Sequence, residues 1–568
     1  MIESAVAGDI QPLSQAVVSL IAAGEVIDSL AAVVRELAEN ALDAGATRIH
    51  ISLWPQQWRV RVADNGAGMT RADLEQAATA HSTSKIRTRA DLSQISSLGF
   101  RGEALHSLAQ LSALEIMSRP QTDASGWRVQ YSATGQPMDI ESGAIAPGTI
   151  VTADDLFARW PTRRQVLPSI PQQLRTVQLT VHQLALCHPQ VTWQVEHSDR
   201  PWFTLWPGET ARTLLPQMVR GVEVHDLRYL SLDSARLGYA HSQLALLTGL
   251  PDRCHRHRAD WVRVAINGRT VNAPVLTQAL INSFRRTLPR HRYPVCFLHL
   301  TVPPEQVDWN RHPAKSEIYL QDMEGWCDRI STAVSEALQL SPDSLSETAQ
   351  TRRVNQLIKA AEAPGKYNSQ PKGSEQNGHE ERAAATQLPT QLKAVAQVHN
   401  TYILAEHPGG LCLIEQHIAH ERVLYEQIKA HWQLVPIEPP IMLSQLRPKQ
   451  LEQLRRLGLE VDLFGEALWA IRTVPAPLKD RDDCADALLE LSLGGDLDTA
   501  LVATACRTAI RNGTPLSPKR QQALLNDWQR TDHPRTCPHG RPICLSLEES
   551  SLSRYFRRHW VIGKSHGI

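Results

Sequence analysis

The sequence predicts an α+β protein of several domains, with two folded halves joined by a disordered linker. Three observations predict it. At 568 residues the chain is too long for one core and suggests roughly three to four domains. Helix-like and strand-like apolar periods alternate along both halves. Between them, residues 341–389 are rich in Ser, Gln, Glu, Lys, Gly and Pro and almost free of aromatics. Such a stretch cannot bury enough apolar surface to offset its ordering entropy. The divisions fall at residues 1–205, 206–338, a linker over 339–390, and 391–568.

Composition sets outer bounds. The chain is 42% hydrophobic and 21% charged, with 59 Lys+Arg against 59 Asp+Glu. A neutral total does not advertise a nucleic-acid binder, yet it can conceal a local basic groove. No apolar run is long enough to span a bilayer, and the first residues lack the basic start and apolar core of a signal peptide. Nine scattered cysteines argue against a disulfide framework and fit a reducing, cytoplasmic setting.

The elements follow in chain order. "AAVVRELAENALDAGA" (Ala31 to Ala46) has a helical pattern, with Asp28 or Ser29 able to cap its start and Gly45 to end it. "RIHISLW" puts Ile49, Ile51 and Leu53 on one face, and "WRVRVAD" does the same with Val60 and Val62, the two-residue period of strands. "WVRVAING" reads as a strand entering a turn. "QVHNTYILAEHPGGLCLIEQ" reads as two strands around a Pro-Gly-Gly turn.

A nucleotide site is legible without a phosphate loop. The only Gly-Lys-Ser, at Gly563, has Arg558 where the upstream glycine is required. Glu36 and Asn40 instead lie one helical turn apart on one face. An Asn oxygen can ligate magnesium while the carboxylate orients water. The strand ending at Asp64 runs into "NGAGM", where Gly66 and Gly68 allow close backbone approach. "HSTSK" supplies Thr83, Ser84 and Lys85. "GFRGEAL" supplies Gly99, Arg101, Gly102 and a helix start suited to phosphate. Singly, each is an ordinary helix face or turn; order and spacing carry the signal.

The later sequence adds two further groups. Arg269, Arg285, Arg286, Arg290, His291 and Arg292 make the second division locally basic, as does "RCHRHR" from Arg253. Charge on one concave face suffices for sequence-independent phosphate binding. In "IEQHIAHERVLYE" (Ile414 to Glu426), a helix starting near Gln416 puts His417 and Glu421 one turn apart. "CPHGRP" adds Cys537 and His539, and "TACRTAIRNG" adds Cys506 in a helix. Thiolates, imidazoles and a carboxylate form a zinc-like set. The other seven cysteines have no such context and read as core thiols.

The run "IAAGEVIDSLAAVVRELAENALDAGAT … DNGAGM … STSKI … LGFRGEAL" closely resembles the MutL family of DNA mismatch repair proteins. That family shares its ATPase fold with gyrase B, Hsp90-type chaperones and histidine kinases. The resemblance implies a GHKL (Bergerat-type) ATPase sandwich, then an S5-like α/β transducer domain. After the linker it implies an α/β C-terminal dimerisation domain. ATP and Mg2+ are the implied cofactors. Glu36 takes the place of the general base, Asn40 that of the magnesium ligand, and Asp64 that of the acceptor for the adenine amino group. Gly66 and Gly68 would make room for the base. Thr83, Ser84, Lys85 and the loop of Gly99, Arg101 and Gly102 take the place of the lid.

"DDLFARWPTRR", "INGR" and "VDWNRHPAKSEI" continue the resemblance, so Lys315 takes the place of the lysine that reaches the γ-phosphate. Arg269, Arg285 and Arg286 would contact DNA without sequence preference, because no base-reading motif is visible. The C-terminal motifs resemble those of endonuclease-type members. They imply Glu415, His417, Glu421, Cys506, Cys537 and His539 as ligands, for Zn2+ and for Mn2+ or Mg2+, with "FRR" at Phe556 closing the set.

The implied activity is mismatch repair driven by ATP, with DNA nicking by the C-terminal domain. The alternative is an ATP-switched matchmaker without nuclease. A homodimer through the C-terminal domain, ATP-dependent pairing of the N-terminal halves, the mismatch-recognition protein MutS and a sliding clamp docking near "WQLVP" are the implied partners. The chain departs from the family at several places. Ala80 replaces an arginine and Leu30 a proline. Ala158 and Arg159 break the "DLFYN" pattern. Glu415 stands for aspartate and Ile418 for alanine. Glu415 matters most, since its extra methylene moves a carboxylate that a metal site tolerates poorly.

Overall fold

Alternation along the first strands has a direct physical outcome. Ile49, Ile51, Leu53, Val60 and Val62 all enter one core, while Arg59 and Arg61 between them do not. The computed structural model describes residues 13–339 and 392–548, with residue 552. Outside the description within those spans lie 87, 89, 90, 92, 93, 96, 100, 290, 309–317, 431, 466, 467, 481–483, 494 and 495. The expectations for Lys315, Arg290, Phe556 and nearly all of the linker therefore fall outside the described residues.

The first unit is a sandwich of helices on one mixed eight-stranded sheet. Its strands are β1 (Arg48–Trp54), β2 (Arg59–Asp64), β3 (Ala113–Arg119), β4 (Gly126–Tyr131), β5 (Pro137–Gly143), β6 (Gly148–Asp154), β7 (Thr192–His197) and β8 (Arg200–Leu205). Their order is β5-β4-β3-β6-β2-β1-β7-β8, and β1 runs parallel to β7. The Leu30–Asp43 helix lays Val33, Val34, Leu37 and Ala41 into the same core. Ser29 caps it by accepting the Ala32 N–H at 3.2 Å, and Gly45, at φ 74°, turns the chain out of it. The cap and stop are those the sequence suggests, and they fix which way Glu36 and Asn40 face.

The second unit has a five-stranded sheet. In order across it run Arg269–Val271, Val262–Ile266, Cys296–Thr301, Gln243–Gly249 and Leu227–Leu232. The Pro274–Ser283 and Met323–Leu338 helices close its core around the buried Trp326.

After the linker, four antiparallel strands (Lys393–Val398, Tyr402–His407, Gly410–Glu415 and Cys544–Glu548) carry the Gln416–Ala430 and Pro518–Gln529 helices. His407 pairs with Gly410 across the expected tight turn. A second small core lies in this half. It is built on the strands Leu434–Ser444, Leu468–Pro475 and Val461–Gly465 with the Pro448–Arg456 and Cys484–Leu493 helices. The "WQLVP" stretch enters its long strand, and Trp432 packs against Tyr425, Ile428 and Leu501. Among the described residues no single helix is long and apolar enough to cross a membrane.

Candidate functional site

Three neighbouring turns build the first site. Glu36 is buried beside Arg35, whose Nη2 lies 3.4 Å from Oε1. One turn on, Asn40 Oδ1 accepts from Lys85 Nζ at 3.2 Å. Asp64 ends β2, and its Oδ1 accepts the Gly66 N–H at 2.8 Å. Burial pushes the Asp64 carboxyl above its ordinary range, against the lowering effect of the Gly66 and Thr149 amides. Gly68 has φ 72°, and a Cβ there would stand 2.3 Å from Arg119 O, so the turn requires glycine.

The lid residues are held by a carboxylate that the sequence reading did not single out. Asp43 Oδ1 accepts the Leu98 N–H at 2.8 Å, and its Oδ2 accepts the Gly99 N–H at 2.9 Å and Lys85 Nζ at 2.5 Å. Thr83 Oγ1 accepts the Lys85 N–H at 3.2 Å. Ser84 is exposed and Arg101 half-buried. Gly102, at φ 64°, lets its loop close on Ser82, whose carbonyl a Cβ would meet at 2.6 Å. The helix expected after "GFRGE" is there, Ala104–Leu111. Asp43 is one turn beyond Asn40, so helical spacing could have pointed to it.

Five of the six candidate C-terminal ligands converge as two groups sharing Glu421. His417, Glu421 and Cys506 form one and Glu421, Cys537 and His539 the other, with ligand atoms within 4.8 Å of each other in each. His417 Nδ1 lies 2.9 Å from Ile510 O, which fixes its tautomer and leaves Nε2 for a ligand. Glu421 is fully buried. Burial works to raise its carboxyl, but His539 and Arg541 outweigh that and hold it below the ordinary value. Arg541 donates from Nη2 to Glu421 Oε2 at 2.9 Å and from Nε to Cys537 Sγ at 3.4 Å. Burial alone would also raise the Cys537 thiol, yet its hydrogen bonds from His539 and Arg541 bring it below the usual value. Cys537 and Glu421 in turn raise the His539 imidazole to about 9.

Glu415 stands apart from both groups. Its Oε2 accepts the Ile418 N–H at 2.7 Å, which makes it the cap of the Gln416–Ala430 helix. Its Oε1 is buried without a hydrogen-bond partner, whereas Glu421 Oε1 and His539 Nδ1 face each other at 2.7 Å as an ion pair. A buried carboxylate and two imidazoles gathered around two thiols are a donor set that fits a bound cation.

Comparison with known proteins decides the family. The chain is 59% identical over 572 residues to the DNA mismatch repair protein MutL of Nostoc punctiforme, covering 98% of this chain and 99% of that one. The chain belongs to the MutL family. The MutL of Thiobacillus denitrificans is 32% identical over 610 residues, covering 97% and 99%. Residues 28–151 match the histidine kinase-, DNA gyrase B- and HSP90-like ATPase family. Residues 232–339 match the C-terminal domain of DNA mismatch repair proteins, and 395–516 the MutL C-terminal dimerisation domain. Among solved structures, the N-terminal domain of a DNA repair protein aligns with 56% of the chain and 97% of its own length, at 22% identity and TM-score 0.48.

For a MutL-family chain, the basic residues of the second unit hold a surprise. Arg269 is not at the surface. It is buried, and its guanidinium pairs with Glu39 of the ATPase helix at 2.6 Å. Its place as a DNA contact does not hold in this arrangement. Arg285 and Arg286 lie against the C-terminal half instead. Arg286 Nε donates to Asp498 Oδ2 at 2.7 Å, and Arg285 Nη2 to Asp496 Oδ2 at 3.0 Å. Tyr425 holds the other Asp498 oxygen, and buried Arg422 donates to Arg286 O at 2.6 Å. Within "RCHRHR", Arg253 is buried against Asp252 and Arg256 pairs with Asp260. Glu39 and Arg422 lie inside quoted stretches without a role being read for them, and Asp498 lies in none.

Proposed function

We propose that this MutL-family ATPase couples mismatch recognition to repair and that its C-terminal half nicks DNA with bound metal. The carrying observation is the pair of ligand groups that share buried Glu421. In the N-terminal half, Glu36 would orient the hydrolytic water, Asn40 would hold Mg2+ to neutralise phosphate charge, and Asp64 would accept from the adenine amino group. Lys85 sits beside Asn40 and moves from Asp43 to the phosphates as nucleotide enters. Lys315, which lies outside the described residues, takes the place of the family's lysine for the γ-phosphate. Catalysis there is mostly positioning and charge neutralisation.

In the C-terminal half, Cys506, Cys537, His417 and His539 suit Zn2+, while Glu421 and the free oxygen of Glu415 suit Mn2+ or Mg2+. When bound, such an ion polarises the phosphodiester and supplies hydroxide at neutral pH. Arg541 fixes the Glu421 carboxylate and favours the Cys537 thiolate, while His539, whose imidazole is raised to about 9, gives up its proton when a cation binds. The chain works as a homodimer joined through its C-terminal domains. Its N-terminal halves pair around DNA when ATP binds, with MutS and a sliding clamp as partners in the cytoplasm. The test is nicking of supercoiled plasmid under a Mn2+ titration, by wild type and by Glu421→Gln. Nicking by wild type alone supports the proposal; equal nicking by both defeats it.

A second reading is favoured by one observation, the use of Glu415 as a helix cap outside both ligand groups. It makes the protein an ATP-switched matchmaker whose metal is structural. It predicts turnover of ATP abolished by Glu36→Ala, and no nicking by wild type with any divalent metal.

A further inference from the structure

We propose that Arg269 is a positioning residue for ATP turnover, a latch that ties the second domain to the catalytic helix and the lid. The geometry carries it. Arg269 Nε and Nη2 donate to the two oxygens of Glu39 at 3.1 and 2.6 Å, across 230 residues of sequence. Glu39 lies beside Asn40 and one turn from Glu36 on the Leu30–Asp43 helix. Both partners are almost completely buried. Nη2 also donates to Leu98 O. Leu98 is therefore gripped from two sides, its carbonyl by Arg269 and its N–H by Asp43 of the same helix.

The turn before Arg269 is clasped as well. Gly268 O is 3.0 Å from Nε2 of His188, at the end of the Ile170–Cys187 helix, and the Gly268 N–H donates to His299 Nε2 at 2.9 Å. A Cβ on Gly268 would meet the His188 ring at 3.1 Å, so the turn is pressed against the ATPase unit. One strand of the second domain thus touches the helix that carries Glu36 and Asn40 and the segment that carries Gly99. Any shift of that segment on nucleotide binding must pull on Arg269 or break the pair.

The consequence is mechanical. A buried bidentate pair is specific in direction and tolerates little displacement, and removing one partner strands the other's charge. Arg269 acts through Glu39 and Leu98: it sets where Asn40 and the lid stand relative to the second domain.

The inference rests on ATP turnover by the N-terminal unit, and its test separates the two. Full-length wild type, Arg269→Ala, Glu39→Ala, the double variant and Arg269→Lys are compared for kcat, KM and nucleotide-free DNA affinity. Each single alanine variant lowers kcat/KM by about 10- to 100-fold, as misplaced catalytic groups do. The double variant is no worse than either single one, because all three lose the same link. Arg269→Lys regains part of the loss, and nucleotide-free DNA affinity stays at the wild-type level in every variant. Weakened DNA binding with normal turnover in Arg269→Ala would overturn the latch, as would losses that multiply in the double variant.

Two controls keep the outcome decisive. The paired Glu39→Met, Arg269→Met variant preserves volume without a stranded charge; it must fold and still turn over slowly, and full turnover defeats the inference. Amide exchange at Leu98 and Gly99 in nucleotide-free Arg269→Ala reads the latch even in a protein with no turnover. Faster exchange supports it and unchanged exchange refutes it.

Discussion

Replacing Asp43 with alanine should loosen the lid locally and leave the ATPase sandwich standing. The side chain holds two amides, Leu98 at 2.8 Å and Gly99 at 2.9 Å, and the Lys85 ammonium at 2.5 Å. A hydrogen bond to a charged acceptor contributes about 1.5–3 kcal/mol when sealed from water. Gly99 is half-buried, so its freed amide regains water and about 1 kcal/mol is the better figure, while buried Leu98 keeps the full range. The ammonium contact is partly exposed and adds about 0.5–1 kcal/mol. The total of about 3–5 kcal/mol corresponds to about 150- to 5000-fold faster amide exchange at Leu98 and Gly99. Exchange on β1 and β2 should not change, because the sheet core does not use Asp43. The assay is site-resolved hydrogen exchange on nucleotide-free protein. A change of less than about threefold at both amides would show that Asp43 does not hold the lid.

Other outcomes follow from the same geometry. The buried Asp64 carboxyl is raised above its unfolded value, so its ionisation lowers folding stability as pH rises through and beyond the ordinary carboxylate range. Asp64→Asn should therefore melt higher than wild type at pH 7, with the gap closing as pH falls below that range, while nucleotide binding is lost; a lower melting point would contradict it. Arg285→Glu with Arg286→Glu should weaken DNA binding and flatten its salt dependence by up to about two phosphate contacts. Asp496→Asn with Asp498→Asn, which frees the same arginines, should strengthen it, as measured by fluorescence anisotropy across a salt series.

Elements whose signal is local were legible in the sequence. The strands around Ile51 and Val62 show it in their alternation, the Leu30–Asp43 helix in its cap and stop, and the hairpin at Gly410 in its turn residues. The two C-terminal side-chain groups were legible for a related reason: His417 and Glu421 share a helix face, and Cys537 and His539 share one loop. What was hidden depends on distant surfaces meeting. Nothing near Arg269 in sequence reveals that Glu39 neutralises it, so a basic residue in a basic domain read as a DNA contact. Asp498 pairing with Arg286 is equally silent, because an acidic residue in a first helical turn already has a local use. Glu415 shows the reverse case. Its motif position suggested a ligand, and backbone geometry at the helix start gave half of its carboxylate to capping.

The central claim is that Glu421 anchors a metal centre whose nicking of DNA is gated by ATP. The most direct measurement follows plasmid nicking with Mn2+, with and without ATP, in full-length wild type, Glu421→Gln and Glu36→Ala on matched preparations. The account predicts ATP-stimulated nicking by wild type, none by Glu421→Gln with its ATP turnover intact, and loss of ATP turnover in Glu36→Ala. Undiminished nicking by Glu421→Gln, or none by a wild type that turns over ATP, would contradict it.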